Sequence, residues 1–399
     1  MRYFIIILIT IFFMVLAPIP MAYGQEDLTN NVRAALLIEA ETGKILYQKN
    51  PEMLLEPASI TKLMTYLLAM EAIERGEVHP EDQVSISSRA AAQGGASYDL
   101  RVNEEIRLSE LLEAMMIVSA NDATTAIGEH VGGNEENFVD LMNSRAKELG
   151  LKDSSFVNPN GMPKKPQGNM MTASDMAILS RYIIEKYGAE LLSLTDREVY
   201  RNEDRGFIKE SSNNLLKIIP DVDGLKTGFT NSAGYCLIST MEVKANLEDE
   251  DSFRLIAIVL GAESIQERAD VSKKLLEYGK ENFVKKRILY AGEKISEIRL
   301  WDLEAYPMDL VSKEDIWLFG PKEKLVKTKV IDIPSNKHYS IHQGQKLGEL
   351  HMTLNNDDVI IIELISKDSF KQIPLLIYMK RFWSIALGLY KSIFIYKVA

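Results

Sequence analysis

The stretch Glu56-Pro57-Ala58-Ser59-Ile60-Thr61-Lys62-Leu63-Met64 decides how the rest of the chain is read. Pro57 suits the first turn of a helix, where a missing N–H costs nothing and φ is already set. Ile60, Leu63, Met64, Leu67, Leu68 and Ile73 recur at intervals of three and four, which predicts one apolar helix face, and Gly76 is a stop signal. Ser59 and Lys62, three residues apart, share a side of that helix. An ammonium held against an apolar helix is hard to keep charged, so its pKa falls. A neutral amine beside a hydroxyl can take its proton and make the serine a nucleophile.

By itself the pattern is weak. Ser-x-x-Lys recurs at Ser144 and Lys147, in a polar helical stretch, and reads there as a solvated face. Ser59 is distinguished by its company. Ser119-Ala120-Asn121 follows it, and then Lys226-Thr227-Gly228, a string that occurs once. Ser-x-Asn also starts at Ser211 and at Ser212, where it reads as chance. The order Ser-x-x-Lys, Ser-x-Asn, Lys-Thr-Gly resembles the penicillin-interacting serine acyltransferases and β-lactamases.

At 399 residues the chain has room for two domains, and 46% hydrophobic residues allow a sizeable core. A net charge of −11 argues against a nucleic-acid partner. Cys236 is the sole cysteine, so no intramolecular disulfide forms; its strand-like setting reads as core. The five histidines are dispersed and no His-Glu-x-x-His string occurs, so no metal or other cofactor is expected. No Gly-x-Ser-x-Gly elbow occurs either. Arg2, an apolar run over residues 4–16 and Ala22-Tyr23-Gly24 predict a signal peptide, 1–24, cut before Gln25. The alternative is an uncleaved membrane helix; either places the body of the protein outside the cytoplasm.

Strand-like runs at 32–39 and 44–50 predict a hairpin. Residues 84–106 read as irregular. Ser109 reads as the N-cap of a helix with Leu111, Leu112, Met115 and Met116 inward. A turn at 119–122 precedes helices over 123–131 and 135–149. Helix is predicted at 174–186 and surface loop at 202–214. Two β-type runs, 235–243 and 253–260, flank an acidic tip at 247–251, and a helix over 265–283 follows. Strands at both ends with helices between predict an α+β domain, 25–286, in which an antiparallel sheet carries an inserted helical cluster. Residues 287–372 alternate short β-type segments with turns, which predicts a small all-β domain.

Over most of its length the chain resembles the low-molecular-mass penicillin-binding proteins, serine-type D-alanyl-D-alanine carboxypeptidases. Phe156-Val157-Asn158-Pro159-Asn160-Gly161, Val222-Asp223-Gly224-Leu225 and the stretch 341–350 add to the three motifs. The resemblance implies a β-lactamase-like fold. It implies that Ser59 acylates on the penultimate D-alanine of peptidoglycan stem peptides ending in D-Ala-D-Ala, with Lys62 as base and Ser119 as proton relay. It places Asn121, Lys226, Thr227, Gly228, Phe229 and Arg268 against the substrate, Lys226, Thr227 and Arg268 at its terminal carboxylate. The backbone N–H groups of Ser59 and Phe229 would form the oxyanion hole. Many members carry histidine where Phe229 stands. β-Lactams are implied as covalent inhibitors. A β-lactamase of the same fold and a catalytically idle protein that binds wall peptides or β-lactams are the competing readings.

Residues 373–399 are apolar with scattered basic residues. The longest uncharged run, 382–390, is nine residues, too short to span a membrane. Lys380, Arg381 and Lys391 share a face, which predicts an amphipathic helix lying on the outer leaflet of the cytoplasmic membrane.

Overall fold

The computed structural model describes residues 28–298, 307–323, 325–333, 340–354, 359–371 and 373–395. The expected signal peptide, 1–24, lies outside them. The chain forms two compact units: one takes in the residues up to Met241 with Ile256–Leu276, the other Glu242–Leu255 with Glu277 onward.

The first unit opens with the expected hairpin, β1 (Ala34–Glu39) and β2 (Ile45–Lys49). A 3-10 turn, Ala58–Thr61, then leads into α1 (Lys62–Glu74). Two expectations change here. Ser59 lies on the 3-10 turn rather than on the α-helix. In addition, α1 has no single apolar face: residues 62–69, 71 and 72 are buried, because the helix runs through the middle of the domain. A helix surrounded by other elements needs no polar stripe.

Residues 84–106 are more ordered than expected. β3 (Gln83–Ser85) pairs with β4 (Glu105–Arg107), and α2 (Ser88–Ala91) lies between them. Helix α3 (Leu108–Ile117) is entered at Arg107 and is not capped by Ser109. Its first N–H groups are already satisfied, Leu108 donating to the Asp82 carbonyl and Ser109 to the Pro80 carbonyl, so no side-chain cap is needed. α4 (Asn121–Gly132) starts two residues before the expected 123, with the Asn121 N–H bonded to the Ala96 carbonyl. α5 (Glu135–Glu148) follows as expected.

α6 (Ala173–Thr195) outruns its expected end at 186; Tyr187 leaves helical geometry, φ −131°, and the helix resumes beyond that kink. The expected loop at 202–214 holds half of a hairpin, β5 (Val199–Asn202) with β6 (Phe207–Glu210). Its cause is aromatic: Tyr98 packs against Tyr200 and Phe207 at centroid distances of 5.5 and 4.7 Å.

β7 (Val222–Thr230), β8 (Gly234–Val243) and β10 (Phe253–Ala262) complete an antiparallel sheet with spatial order β2-β1-β10-β8-β7, the short β9 (Glu250–Asp251) lying between β8 and β10 in sequence. α7 (Ile265–Asn282) follows. The sheet is therefore built from both ends of the domain sequence with the helices inserted between, the expected α+β arrangement. Cys236 is buried in β8, and burial pushes its thiol pKa up, as befits a core residue.

Beyond the end of α7, the described residues of the second unit are all-β apart from the last helix. β11 (Phe283–Leu289), β12 (Lys294–Ile298), β13 (Met308–Ser312), β14 (Ile316–Pro321), β15 (Val326–Asp332), β16 (Ser340–Ile341), β17 (Lys346–Leu354), β18 (Val359–Ser366) and β19 (Phe370–Lys371) form small sheets, the largest ordered β12-β13-β18-β17-β15. Leu310, Leu350, Met352 and Leu364 form its core. The acidic tip is not a free turn. β9 pairs with β11, and Lys285 and Lys286 reach Asp251 and Asp249 at 3.1 and 2.9 Å, so a basic strand neutralises the acidic run. The last described element is α8 (Leu375–Ile395). Among the described residues no helix is long and apolar enough to cross a membrane.

Candidate active site

The 3-10 turn begins at Ala58, whose φ of +48° is unusual for a residue with a Cβ. This turn presents Ser59 beside the wholly buried Lys62. Lys62 Nζ lies 2.8 Å from Ser59 Oγ, 2.7 Å from Asn121 Oδ1 and 3.0 Å from the Asn160 carbonyl oxygen. Both acceptors are fixed from behind. Asn121 Nδ2 donates to the Gly94 carbonyl at 2.7 Å. Asn160 Nδ2 donates to Gln93 Oε1 at 2.9 Å and Thr125 Oγ1 at 3.2 Å. Burial drives the Lys62 pKa well below its ordinary value, the Lys226 charge adds to the effect, and the Asp122 carboxylate opposes it. A neutral amine has two N–H bonds and one lone pair. With Asn121 and Asn160 taking the N–H bonds, the lone pair is left for the Ser59 hydroxyl.

Two glycines allow this assembly. Gly161 has φ +78°, and a Cβ there would stand 1.9 Å from the Ala58 carbonyl oxygen, so only glycine lets the Asn160 segment approach the 3-10 turn. A Cβ on Gly228 would stand 2.9 Å from the Pro57 carbonyl oxygen and 3.2 Å from the Ser59 nitrogen. The third position of Lys-Thr-Gly is thus what brings β7 against Ser59.

On β7, Lys226 is buried. That burial, followed by the Arg268 charge, brings its pKa down to about 7. Its Nζ reaches the Thr227 carbonyl oxygen at 3.3 Å. Thr227 Oγ1 donates to Ser212 Oγ at 2.6 Å. Arg268, buried on α7, makes only long contacts: Nη2 to the Ser212 carbonyl and Asn214 Oδ1, each at 3.4 Å, and Nη1 to the Cys236 carbonyl at 3.5 Å. Its buried Nε has no partner. Among the described residues neither cation has a carboxylate partner, so this corner of the site is short of an anion. Phe229, 49% exposed, stacks on Tyr235.

The structure therefore brings Ser59, Lys62 and Asn121 together by direct hydrogen bonds, and joins Thr227 to Arg268 through Ser212. Ser119 sits at the entrance to α4 with φ +64°, and its hydroxyl has no hydrogen-bond partner among the described residues. Sequence reasoning missed two contributors. Asn160 stood inside the string from Phe156 to Gly161 without a role of its own. Ser212 stood in a Ser-x-Asn string read as chance, and the structure places it against Thr227.

Residues 21–264 match the family D-alanyl-D-alanine carboxypeptidase. The chain belongs to this family. Residues 271–372 match the C-terminal domain of penicillin-binding protein 5. Among relatives in the family, the D-alanyl-D-alanine carboxypeptidase DacF of Bacillus subtilis is 34% identical, over 92% of this chain and 95% of that relative. The solved penicillin binding protein 5 of Haemophilus influenzae is 30% identical, over 86% of this chain and 98% of that one, with a TM-score of 0.65. Penicillin-binding protein D2 of Listeria monocytogenes, solved in its ampicillin-bound form, is 32% identical over 62% of this chain and 97% of that one, with a TM-score of 0.55.

Proposed function

We propose that the protein is a serine-type D-alanyl-D-alanine carboxypeptidase that removes the terminal D-alanine from peptidoglycan pentapeptides through a Ser59 acyl-enzyme. The observation that carries this reading is the buried Lys62 amine, held by two fixed acceptors 2.8 Å from the Ser59 hydroxyl. Ser59 Oγ attacks the carbonyl carbon of the penultimate D-alanine as its proton passes to Lys62 Nζ. The N–H groups of Ser59 and Phe229 receive the oxyanion; losing one donor of such a hole typically costs ~10²–10³ in rate. The Ser119 hydroxyl relays a proton to the departing nitrogen, the C–N bond breaks and D-alanine leaves. Water then cleaves the ester, with Lys62 again taking the proton. Asn121 holds Lys62 and the substrate amide. Lys226, Thr227 and Arg268 receive the terminal carboxylate, the anion that corner of the site lacks.

β-Lactams would acylate the same Ser59. The ampicillin-bound Listeria relative supports that fate. The test is D-alanine release from a soluble peptide ending in D-Ala-D-Ala. We expect one D-alanine per peptide and none from Ser59→Ala; no release by the folded wild-type protein would overturn the reading.

The enzyme works outside the cytoplasm, exported by residues 1–24 and attached to the outer face of the membrane by α8. Leu375, Leu376, Phe382, Trp383 and Leu387 of that helix are all exposed, which suits an in-plane helix with its apolar side in lipid. Deleting residues from Leu375 onward should leave D-alanine release on a soluble peptide intact and free the protein from membranes. Retention of the truncated chain in the membrane fraction would sink the anchor.

A further inference from the structure

β7 is an edge strand of its sheet, paired with β8 on one side only. Its Gly228 packs against the Ser59 turn, which sets how close the strand can come but not what keeps it there. Among the described residues one hydrogen bond joins residues 56–61 to the β7–β8 arm: the Ser232 hydroxyl donates to the Glu56 carboxylate.

Glu56 is half-buried, and among the described residues its carboxylate has no ion-pair partner and no other hydrogen-bond donor. A carboxylate that meets a neutral hydroxyl and no cation does nothing for charge balance, so its use is positional. It stands directly before Pro57, where the backbone is confined to extended conformations, and three residues before Ser59. The far side of the bond is equally fixed. Arg33 Nη2 donates to the Ser232 carbonyl at 2.7 Å and also to the Ala233 carbonyl. The Ala233 N–H donates to Thr230 Oγ1 at 2.9 Å, and the hydroxyl oxygens of Thr230 and Ser232 are 3.2 Å apart. Each hydroxyl has one proton to give. Ser232 gives its proton to Glu56, so Thr230 gives its own to Ser232. The bonds then run one way, from the Ala233 N–H through Thr230 and Ser232 to the carboxylate. A chain of this kind is strengthened by the charge at its end. Thr230 adjoins Phe229.

We propose that Glu56 is a positioning residue: through Ser232 and Thr230 it clasps the end of β7 to the Ser59 turn and so sets the spacing between the Ser59 and Phe229 N–H groups. The inference rests on the carboxypeptidase reading, in which those two donors share the oxyanion. Donors on two separate segments receive one oxygen only while the segments keep their distance. Glu56 takes no part in the bond-making at Ser59.

The test uses the full protein, a soluble peptide ending in D-Ala-D-Ala, and N-acetyl-D-boroalanine. In the boronic acid Ser59 Oγ bonds to boron, Lys62 takes the proton, and the tetrahedral boron puts an oxygen where the oxyanion forms. Glu56→Ala should lower kcat about tenfold with KM within about twofold, and should weaken the boronic acid about tenfold. Glu56→Gln can still accept from Ser232 and should return to within about threefold of the wild type. Ser232→Ala should match Glu56→Ala, and the double variant should lose no more than either alone. All the variants should melt cooperatively near the wild type. A near-wild-type kcat in Glu56→Ala, a loss that lies in KM, losses that multiply in the double variant, or a Glu56→Gln protein without a thermal transition would each overturn the clasp and leave the carboxypeptidase reading intact. No D-alanine release by the wild type would overturn that reading and the clasp with it.

Discussion

The chain carries two helical turns with the string Ser-x-x-Lys, and they sit in opposite environments. At the head of α1, Lys62 is buried, and its Nζ lies within hydrogen-bond distance of Ser59, Asn121 and the Asn160 carbonyl. On α5, Ser144 and Lys147 are both exposed, and neither side chain has a hydrogen-bond or ion-pair partner among the described residues. The serine-to-lysine spacing is the same, so spacing alone cannot single out Ser59 as the proposed nucleophile. Burial, which strips the amine of its charge, and two acceptors, which orient what remains, are the difference.

The sharpest way to break this comparison is covalent labelling. Labelled penicillin should attach at one residue per molecule, Ser59 by mass spectrometry of the adduct. Ser59→Ala should lose the label completely, and Ser144→Ala should keep it. A label on Ser144, or one that survives Ser59→Ala, would refute the contrast outright.

Removing each lysine probes the next level. Lys62→Met should slow acylation by about 10³-fold, within the range of a lost general base, and Lys147→Met should leave it unchanged. The Lys62→Met protein should still melt cooperatively near the wild type, because removing a buried amine offsets the loss of donors to Asn121 and the Asn160 carbonyl. Acylation by Lys62→Met at close to the wild-type rate would place the base elsewhere, and a lost thermal transition would make Lys62 structural.

A third contrast sets Lys62 against Lys226, both buried lysines with lowered pKa. Lys62 must be neutral to act as base, so kcat/KM rises with pH as it loses its proton. Lys226 must be charged to meet a carboxylate. Its pKa of about 7 in the free enzyme means the charged fraction falls as pH rises through 7, and kcat/KM falls with it. The profile should therefore be bell-shaped. A kcat/KM that stays flat from pH 7 to about pH 9 would remove Lys226 from carboxylate binding, since its charge should be lost across that interval.

The smallest effect belongs to Ser212. Ser212→Ala removes the partner of the Thr227 hydroxyl and should raise KM about fivefold, the worth of one hydrogen bond, with kcat within about twofold. An unchanged KM would reduce the Thr227 contact to packing.

Much of this candidate site was legible because its residues lie in short strings. Ser59 with Lys62, Ser119 with Asn121, and Lys226 with Thr227 and Gly228 each sit within three or four residues, close enough for local spacing to betray them. Asn160 and Ser212 were not legible in that way. Asn160 offers its backbone carbonyl to Lys62, and a carbonyl belongs to every residue type. Ser212 matters through a partner 15 residues away, and no spacing announces that. The fold shows the same division. The β1–β2 hairpin and the α+β order followed from patterning and turns. The start of α3 did not, because its N–H groups are satisfied by carbonyls of Pro80 and Asp82 rather than by the side chain of Ser109. Glu250 and Asp251 read as a free tip because charge repulsion within a run is visible in sequence, whereas the basic strand that pairs with it begins some thirty residues on.

The missing side chain of Gly228 has a consequence for antibiotic resistance. A resistant variant must keep the drug out while still admitting the substrate. At this position the smallest possible enlargement, one methyl group, would press on the Pro57 carbonyl and push β7 away from Ser59. The Phe229 N–H would move with it, and in the proposed mechanism that donor serves the natural substrate as well as the drug. On that mechanism a side chain at position 228 should remove sensitivity and activity together, and a lineage under penicillin selection would have to look for its escape elsewhere in the cleft.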